Sequence, residues 1–157
     1  MAECVIFIGL PASGKTTFYQ RRFAATHRHL SKDHWPNASN KDARQAEAMR
    51  AALSRGESVV IDNTNPSPGD RAPAIALARE YGARVIGYCF TATPREAVGR
   101  NRGRDGKARV PDVAIFTKAK RMASPTVEEG FDELYSVSID PDGGFTVQPM
   151  TASVRPG

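Results

Sequence analysis

Gly9-Leu10-Pro11-Ala12-Ser13-Gly14-Lys15-Thr16 fits the pattern G-x-x-x-x-G-K-[ST] at every fixed position. These residue types at this spacing suit the binding of a polyphosphate. Glycine at 9 and at 14 permits backbone angles that a Cβ forbids, so successive N–H groups can turn inward around an anion. Pro11, Ala12, Ser13 and Gly14 would form the wall of that cradle, with Thr17 adding an amide beyond it. Lys15 would reach the β- and γ-phosphates, and the Thr16 hydroxyl is placed to ligate Mg²⁺.

Such a loop needs a strand before it and a helix after it. Cys4-Val5-Ile6-Phe7-Ile8 is an unbroken apolar run with β-branched members, as expected of a strand buried on both faces. The segment 16–23 has helical spacing, with Tyr19 and Phe23 four apart. Phosphate would then lie at a helix N-terminus, where unbonded amides and the helix dipole favour negative charge.

Beyond the loop, three strand and helix pairs are readable. The segment 28–31 predicts a short strand that ends near Asp33, an acid placed at the carboxyl edge of a parallel sheet beside the loop. Asp33 is a candidate general base, or else a local turn cap. Trp35 can stack on a base or belong to the core. His27, His29 and His34 lack metal-ligand spacing and read as surface residues. A helix over 41–55 follows, with Ala46, Met49 and Leu53 on one face and Gly56 as its stop. Ser58-Val59-Val60-Ile61-Asp62 is a second buried strand ending in an acid, the form that delivers a carboxylate to a Mg²⁺ shell opposite a phosphate loop.

After a polar turn through Asn63, Thr64 and Asn65, Asp70 is expected to cap a helix over 71–81. A strand over 84–90 leads into Thr93-Pro94-Arg95-Glu96, a capping box with proline at the first helical position. The helix it starts aims Arg100 and Arg104 at a basic, glycine-containing loop over 103–111 that reads as a lid. Positioned guanidiniums there could stabilise charge spread over transferring oxygens. Asp112 would cap a helix over 113–121, and strands over 134–139 and 145–148 would close the fold. The alternation implies an α/β three-layer sandwich with a mostly parallel sheet and a basic helical lid, one domain over 1–148, with a loose tail over 149–157.

Composition narrows the class. At 157 residues the chain can bury a real core. It has no apolar run near the length of a membrane helix and no basic-then-apolar leader, which implies a cytoplasmic protein and no membrane partner. Cys4 and Cys89 fall in predicted strands without C-x-x-C spacing, so neither zinc nor a disulfide is expected. The net charge of +5 is unevenly placed: nine basic residues face three acidic ones between Arg95 and Arg121, leaving the rest near neutral. A concentrated cationic patch suits a polyanionic ligand. No guanine-reading N-K-x-D occurs, so ATP is the default nucleotide.

Ser31-Lys32-Asp33, Val60-Ile61-Asp62-Asn63-Thr64-Asn65-Pro66, Arg100-Asn101-Arg102-Gly103-Arg104 with Val110-Pro111, and Pro125-Thr126 with Glu129-Gly130-Phe131 together resemble the 5′-kinase module of the polynucleotide kinase/phosphatase family. The resemblance spans residues 4 to 139. It implies ATP with Mg²⁺ as donor, a 5′-hydroxyl end of DNA or RNA as acceptor, and Asp33 as the base that takes the acceptor proton. It implies also that Arg104, with Arg100, contacts donor phosphates from the lid. No phosphatase module is expected within these 157 residues, and the chain departs from the family in having Lys32 before the acid, with His34, Trp35 and Pro36 after it. A kinase of small hydroxyl compounds (sugar, nucleoside or antibiotic) and a non-catalytic nucleotide-binding regulator are the other readings of the same residues.

Overall fold

The computed structural model describes residues 1–104, 106 and 109–150. Six strands form one sheet among these: β1 Glu3–Ile8, β2 His27–Leu30, β3 Ser58–Asp62, β4 Arg84–Phe90, β5 Glu133–Ile139 and β6 Phe145–Pro149. Their spatial order is β2-β3-β1-β4-β5-β6. The first five run parallel, and β6 returns antiparallel to β5. The helices are α1 Lys15–Arg22, α2 Lys41–Ser54, α3 Pro68–Glu80, α4 Pro94–Arg102 and α5 Asp112–Arg121.

β1 explains the layering. Its residues from Cys4 to Ile8 are wholly buried, and alternation divides them between two faces. Cys4, Ile6 and Ile8 enter the core with Met49 and Leu53 of α2 and Ile75 and Leu77 of α3. Val5 and Phe7 enter the opposite core with Phe18 and Tyr19 of α1. Each such fully buried aliphatic or aromatic side chain stabilises the fold by about 1.5–3 kcal/mol. A third cluster, Leu10, Ala97, Val98 and Ile115, seats α4 and α5 beside the loop that follows β1.

Because β1 pairs with β3 on one side and β4 on the other, loops leaving β1 and β3 open into one crevice at the carboxyl edge. The functional residues collect there.

Helix starts differ from expectation in three places, the first being α1, which begins at Lys15 rather than 16. α3 begins at Pro68, three residues early: Ser67 is the cap and Asp70 completes a capping box with it. Proline's fixed φ suits the first helical position, so Asp70 moves from cap to third helical residue. α5 begins at Asp112 itself, behind Pro111. Two short 3₁₀ turns, Lys32–His34 and Val127–Glu129, stand where loops were expected.

The sheet extends one residue past the expected boundary at 148, and Met150 is tied to it. β6 includes Pro149, and the Met150 N–H donates to the Leu134 carbonyl at 2.9 Å. An edge strand tolerates proline because its N side need not pair. Residues 151–157 of the expected tail lie outside the described residues, as do Asp105, Lys107 and Ala108 of the expected lid.

Candidate active site

The loop after β1 is a cradle of amides, though not for the reason its glycines first suggest. Gly9 has no positive φ; a Cβ there would come within 2.8 Å of Phe90 Cβ and 2.9 Å of Ser13 Oγ. Space, not backbone angle, requires glycine at 9. The left-handed positions are Ala12, at φ 63°, and Gly14, at φ 94°. Gly14 is also the N-cap of α1 and supplies no side-chain cap, so the helix opens on bare amides. Arg100 Nε holds the turn by donating to the Ala12 carbonyl at 3.0 Å.

Lys15 folds back over this loop. Its Nζ donates to the carbonyls of Gly9 and Leu10 at 3.0 and 2.7 Å. Burial pulls the ammonium down to about 8; Asp62 and Asp33 push it up, while Arg104 and Lys118 add to the lowering. A phosphate close by would favour its charged form.

Asp62, at the end of β3, sits in register with Phe7 of β1. Thr16 Oγ1 donates to its Oδ2 at 2.9 Å, and His29 Nε2 lies 2.8 Å from the same oxygen. The surface reading of the histidines thus fails for His29. It fails for His27 too, whose side chain is 10% exposed and pairs with Glu3 at 2.9 Å. His34 is exposed as expected.

Asp33 stands on the 3₁₀ turn beyond β2. The turn is fixed by two side chains: Ser31 Oγ accepts the Asp33 N–H at 3.2 Å and Asn63 Oδ1 accepts the Lys32 N–H at 2.9 Å, while Asn63 is itself held by donating from Nδ2 to Gln45 Oε1 at 2.6 Å. Asn63 therefore links the residue after Asp62 to the residue before Asp33. Trp35 packs edge-on to His34 and is not among the residues that line the cleft.

The cleft itself measures about 1040 Å³. Pro11, Ala12, Gly14, Lys15, Thr16, Thr17, Asp33, Asp62, Arg100 and Arg104 all line it, from segments spread over 94 residues, Pro11 to Arg104. Gly9 and Ser13 do not. Ser13 instead faces a second recess of about 430 Å³ with Thr91, Glu96 and Val137. Its buried Oγ has no hydrogen-bond partner among the described residues. Six cations and three carboxylates line the main cleft, so its field favours an anion.

Three residues that sequence reasoning passed over organise the walls. Arg71, fully buried, donates from Nε to the Asn65 carbonyl at 2.9 Å and from Nη2 to the Pro66 carbonyl at 3.0 Å and to the Ala123 carbonyl. Its Nη1 meets both oxygens of Glu129, at 3.1 and 2.9 Å. The N-T-N-P loop and the P-T-V-E-E-G-F segment are thus joined through one guanidinium. Asn65 also donates to the Phe7 carbonyl at 2.7 Å, and the Gly9 N–H donates to Thr64 at 3.1 Å. Asn101, equally buried, both donates to and accepts from the backbone of Val110 and so closes the neck of the basic loop. The third, His29, has been met above. A polar residue at an apolar position of a helix or strand is the one signal that pointed to any of them.

A phosphate cradle between a buried parallel strand and a helix, faced by an acid on the adjacent strand, defines a P-loop nucleotide-binding protein of the kinase fold. The chain belongs to the AAA domain family, whose model matches residues 4–125. It is 28% identical over 141 residues to a bifunctional polynucleotide phosphatase/kinase of Schizosaccharomyces pombe, covering 86% of this chain and 33% of that one. The chain spans about a third of the length of the curated relatives it matches. In fold it resembles a fungal RNA kinase, with TM-score 0.68 and 15% identity over 91% of this chain and 40% of that one. It resembles equally a sugar kinase from Janibacter sp. HTCC2649, with TM-score 0.67 and 17% identity over 88% and 86%. No helix among the described residues is long and apolar enough to cross a membrane.

Proposed function

We propose that this chain is an ATP-dependent kinase that moves the γ-phosphoryl group to the 5′-hydroxyl of a DNA or RNA end. One observation carries the reading: Asp33, Lys15, Thr16, Asp62, Arg100 and Arg104 all line one cleft. A base, a phosphate cradle and two guanidiniums around one space are the parts that phosphoryl transfer needs. The phosphatase/kinase of fission yeast, matched across 86% of this chain, supports the acceptor class.

The residues fit a nucleotide with its metal. Ala12 and Gly14 hold left-handed backbone angles, the buried Ser13 Oγ has no hydrogen-bond partner among the described residues, and the Thr16 hydroxyl has committed its proton to Asp62, so a lone pair is what it offers a cation. Thr16 and Asp62 would hold Mg²⁺, Asp62 through water, and the ion would neutralise charge on the β- and γ-oxygens. In our reading Lys15 leaves the Gly9 and Leu10 carbonyls for those phosphates. The nucleoside occupies the recess between Ser13, Thr91 and Arg100. Asp33 takes the proton of the acceptor hydroxyl as its oxygen bonds the γ-phosphorus; the bond to the β–γ bridging oxygen breaks, and ADP leaves. Arg104 and Arg100 stabilise the spreading charge. A cytoplasmic setting, where ATP is abundant and the Cys4 and Cys89 thiols stay reduced, completes the reading.

A small neutral acceptor is the second reading, and one observation favours it. Lys32 is paired with Asp42 at 2.5 Å and Arg121 with Asp70 at 3.3 Å, which reduces the charge offered to a strand near Asp33. The deciding experiment is transfer of labelled γ-phosphate from ATP with Mg²⁺ to short 5′-hydroxyl DNA and RNA strands, with Asp33→Ala as control. Label on strands that vanishes in the variant supports the proposal. Intact ATP binding with unlabelled strands, and label on a sugar or nucleoside, overturns it in favour of the second reading.

A further inference from the structure

The role given to Asp62 depends on its carboxylate being held still, and Thr16 alone does not do that once it is shared with a cation. We propose that His29 is the residue that positions Asp62 for the metal. The inference rests on the donor site described above.

An ionised carboxylate only accepts hydrogen bonds, so the nitrogen that faces Asp62 Oδ2 at 2.8 Å carries a proton and donates it. Thr16 donates to the same oxygen at 2.9 Å. Two donors on Oδ2 fix the carboxylate plane and keep Oδ1 for water around a cation. Asp62 is 5% exposed, so water competes little for these bonds.

The imidazole is itself fixed. It stacks on Tyr19 with centroids 4.1 Å apart and planes 18° from parallel. The Tyr19 hydroxyl donates to the His27 carbonyl at 2.5 Å, anchoring that ring to β2. Thr16 and Tyr19 lie three apart on one face of α1. One helix face thus reaches Asp62 directly through Thr16 and indirectly through Tyr19 and His29. A strand residue kept only for packing would need no nitrogen at this oxygen. His29 touches neither nucleotide nor acceptor in this arrangement; it acts through Asp62.

Binding of ADP, followed by calorimetry at one fixed pH in excess EDTA and at rising Mg²⁺, separates the possibilities without any acceptor. In the wild-type chain Mg²⁺ tightens ADP binding. His29→Leu keeps the EDTA affinity within about twofold, but needs about tenfold more Mg²⁺ to reach half of its gain, in line with losses on removing a partner of a metal ligand. His29→Gln, with an amide N–H where Nε2–H was, stays within about threefold of wild type. Should leucine prevent folding, His29→Asn, polar but too short to reach Asp62, shows the same deficit.

A leucine variant with the wild-type Mg²⁺ midpoint overturns the proposal. So does an equal loss of ADP affinity in EDTA and in Mg²⁺, which marks a packing role, or a glutamine variant as poor as leucine. Absence of any Mg²⁺ effect in the wild-type chain would instead overturn the donor site on which the inference stands.

Discussion

The floor of the cleft and its rim are held by different means. On the floor, Lys15, Thr16 and Asp62 sit at the junction of β1, α1 and β3 and bond to backbone carbonyls, to one another and to His29. On the rim, Asp33 rides an exposed 3₁₀ turn, while Lys32 and Arg121 pair with exposed acids. In the proposed function, polyphosphate binding falls to buried, backbone-borne geometry, and recognition of an acceptor to side chains that can change without disturbing the sheet.

That division predicts its own largest effect. Asp33→Ala should lower the transfer rate by about 10²–10⁴-fold, the usual worth of a general base, with ADP affinity held within about twofold. Lys15→Ala, on the floor, should lose both. Rates and calorimetric affinities for the two variants check this. Equal loss of binding in Asp33→Ala would erase the boundary between floor and rim.

Arg71 tests whether the wall between them is structural. Replacement by alanine strips donors from three carbonyls and leaves Glu129, whose side chain is 11% exposed, facing no cation at this site. Breaking such a pair costs about 3–5 kcal/mol. For a chain of this size, thermal unfolding should move down by about 10 °C. An unchanged midpoint would mean that the N-T-N-P loop is held without it.

What the sequence disclosed follows the same line between local and distant. The strand, loop and helix around Lys15, the capping box at Thr93 and the alternation of strands with helices are encoded by neighbours, so periodicity and turn chemistry revealed them. The ties from Arg71 to Ala123 and Glu129 and from His29 to Asp62 were invisible, because their partners lie 52, 58 and 33 residues away and only folding brings them near. Gly9 was chosen for the right loop and the wrong cause, since its crowding by Phe90 comes from a strand 81 residues on. Asp33 was visible as an acid near a strand end, while the Asn63 brace that aims its turn was not.

On the floor, pH offers a finer test. Lys15 is lowered to about 8, chiefly by burial, and bound phosphates favour its charged form. Above pH 8 the free chain is losing this proton, so binding must take one up, and affinity falls as pH rises. ADP affinity measured from pH 7 to 9.5 should be flat below about 8 and then drop by up to about tenfold per unit. Lys15→Arg, which keeps its charge throughout, should abolish the break.

The smallest effect belongs to Arg121 on the rim, and it bears on the acceptor. Its pair with Asp70 is more than half exposed on the arginine side, so Arg121→Gln should change stability by less than about 1 kcal/mol. If a strand lies along this rim, the guanidinium exchanges Asp70 for a backbone phosphate and releases a counterion. The slope of log affinity against log salt for a 5′-hydroxyl oligonucleotide should then become shallower by about one in the variant. A neutral sugar or nucleoside releases no counterion, so its binding would show no such slope to lose. Competition titrations over a range of salt concentrations read this directly: a slope unaltered by Arg121→Gln removes this residue from the acceptor path, while loss of one unit extends the cleft from a nucleotide site to a strand site.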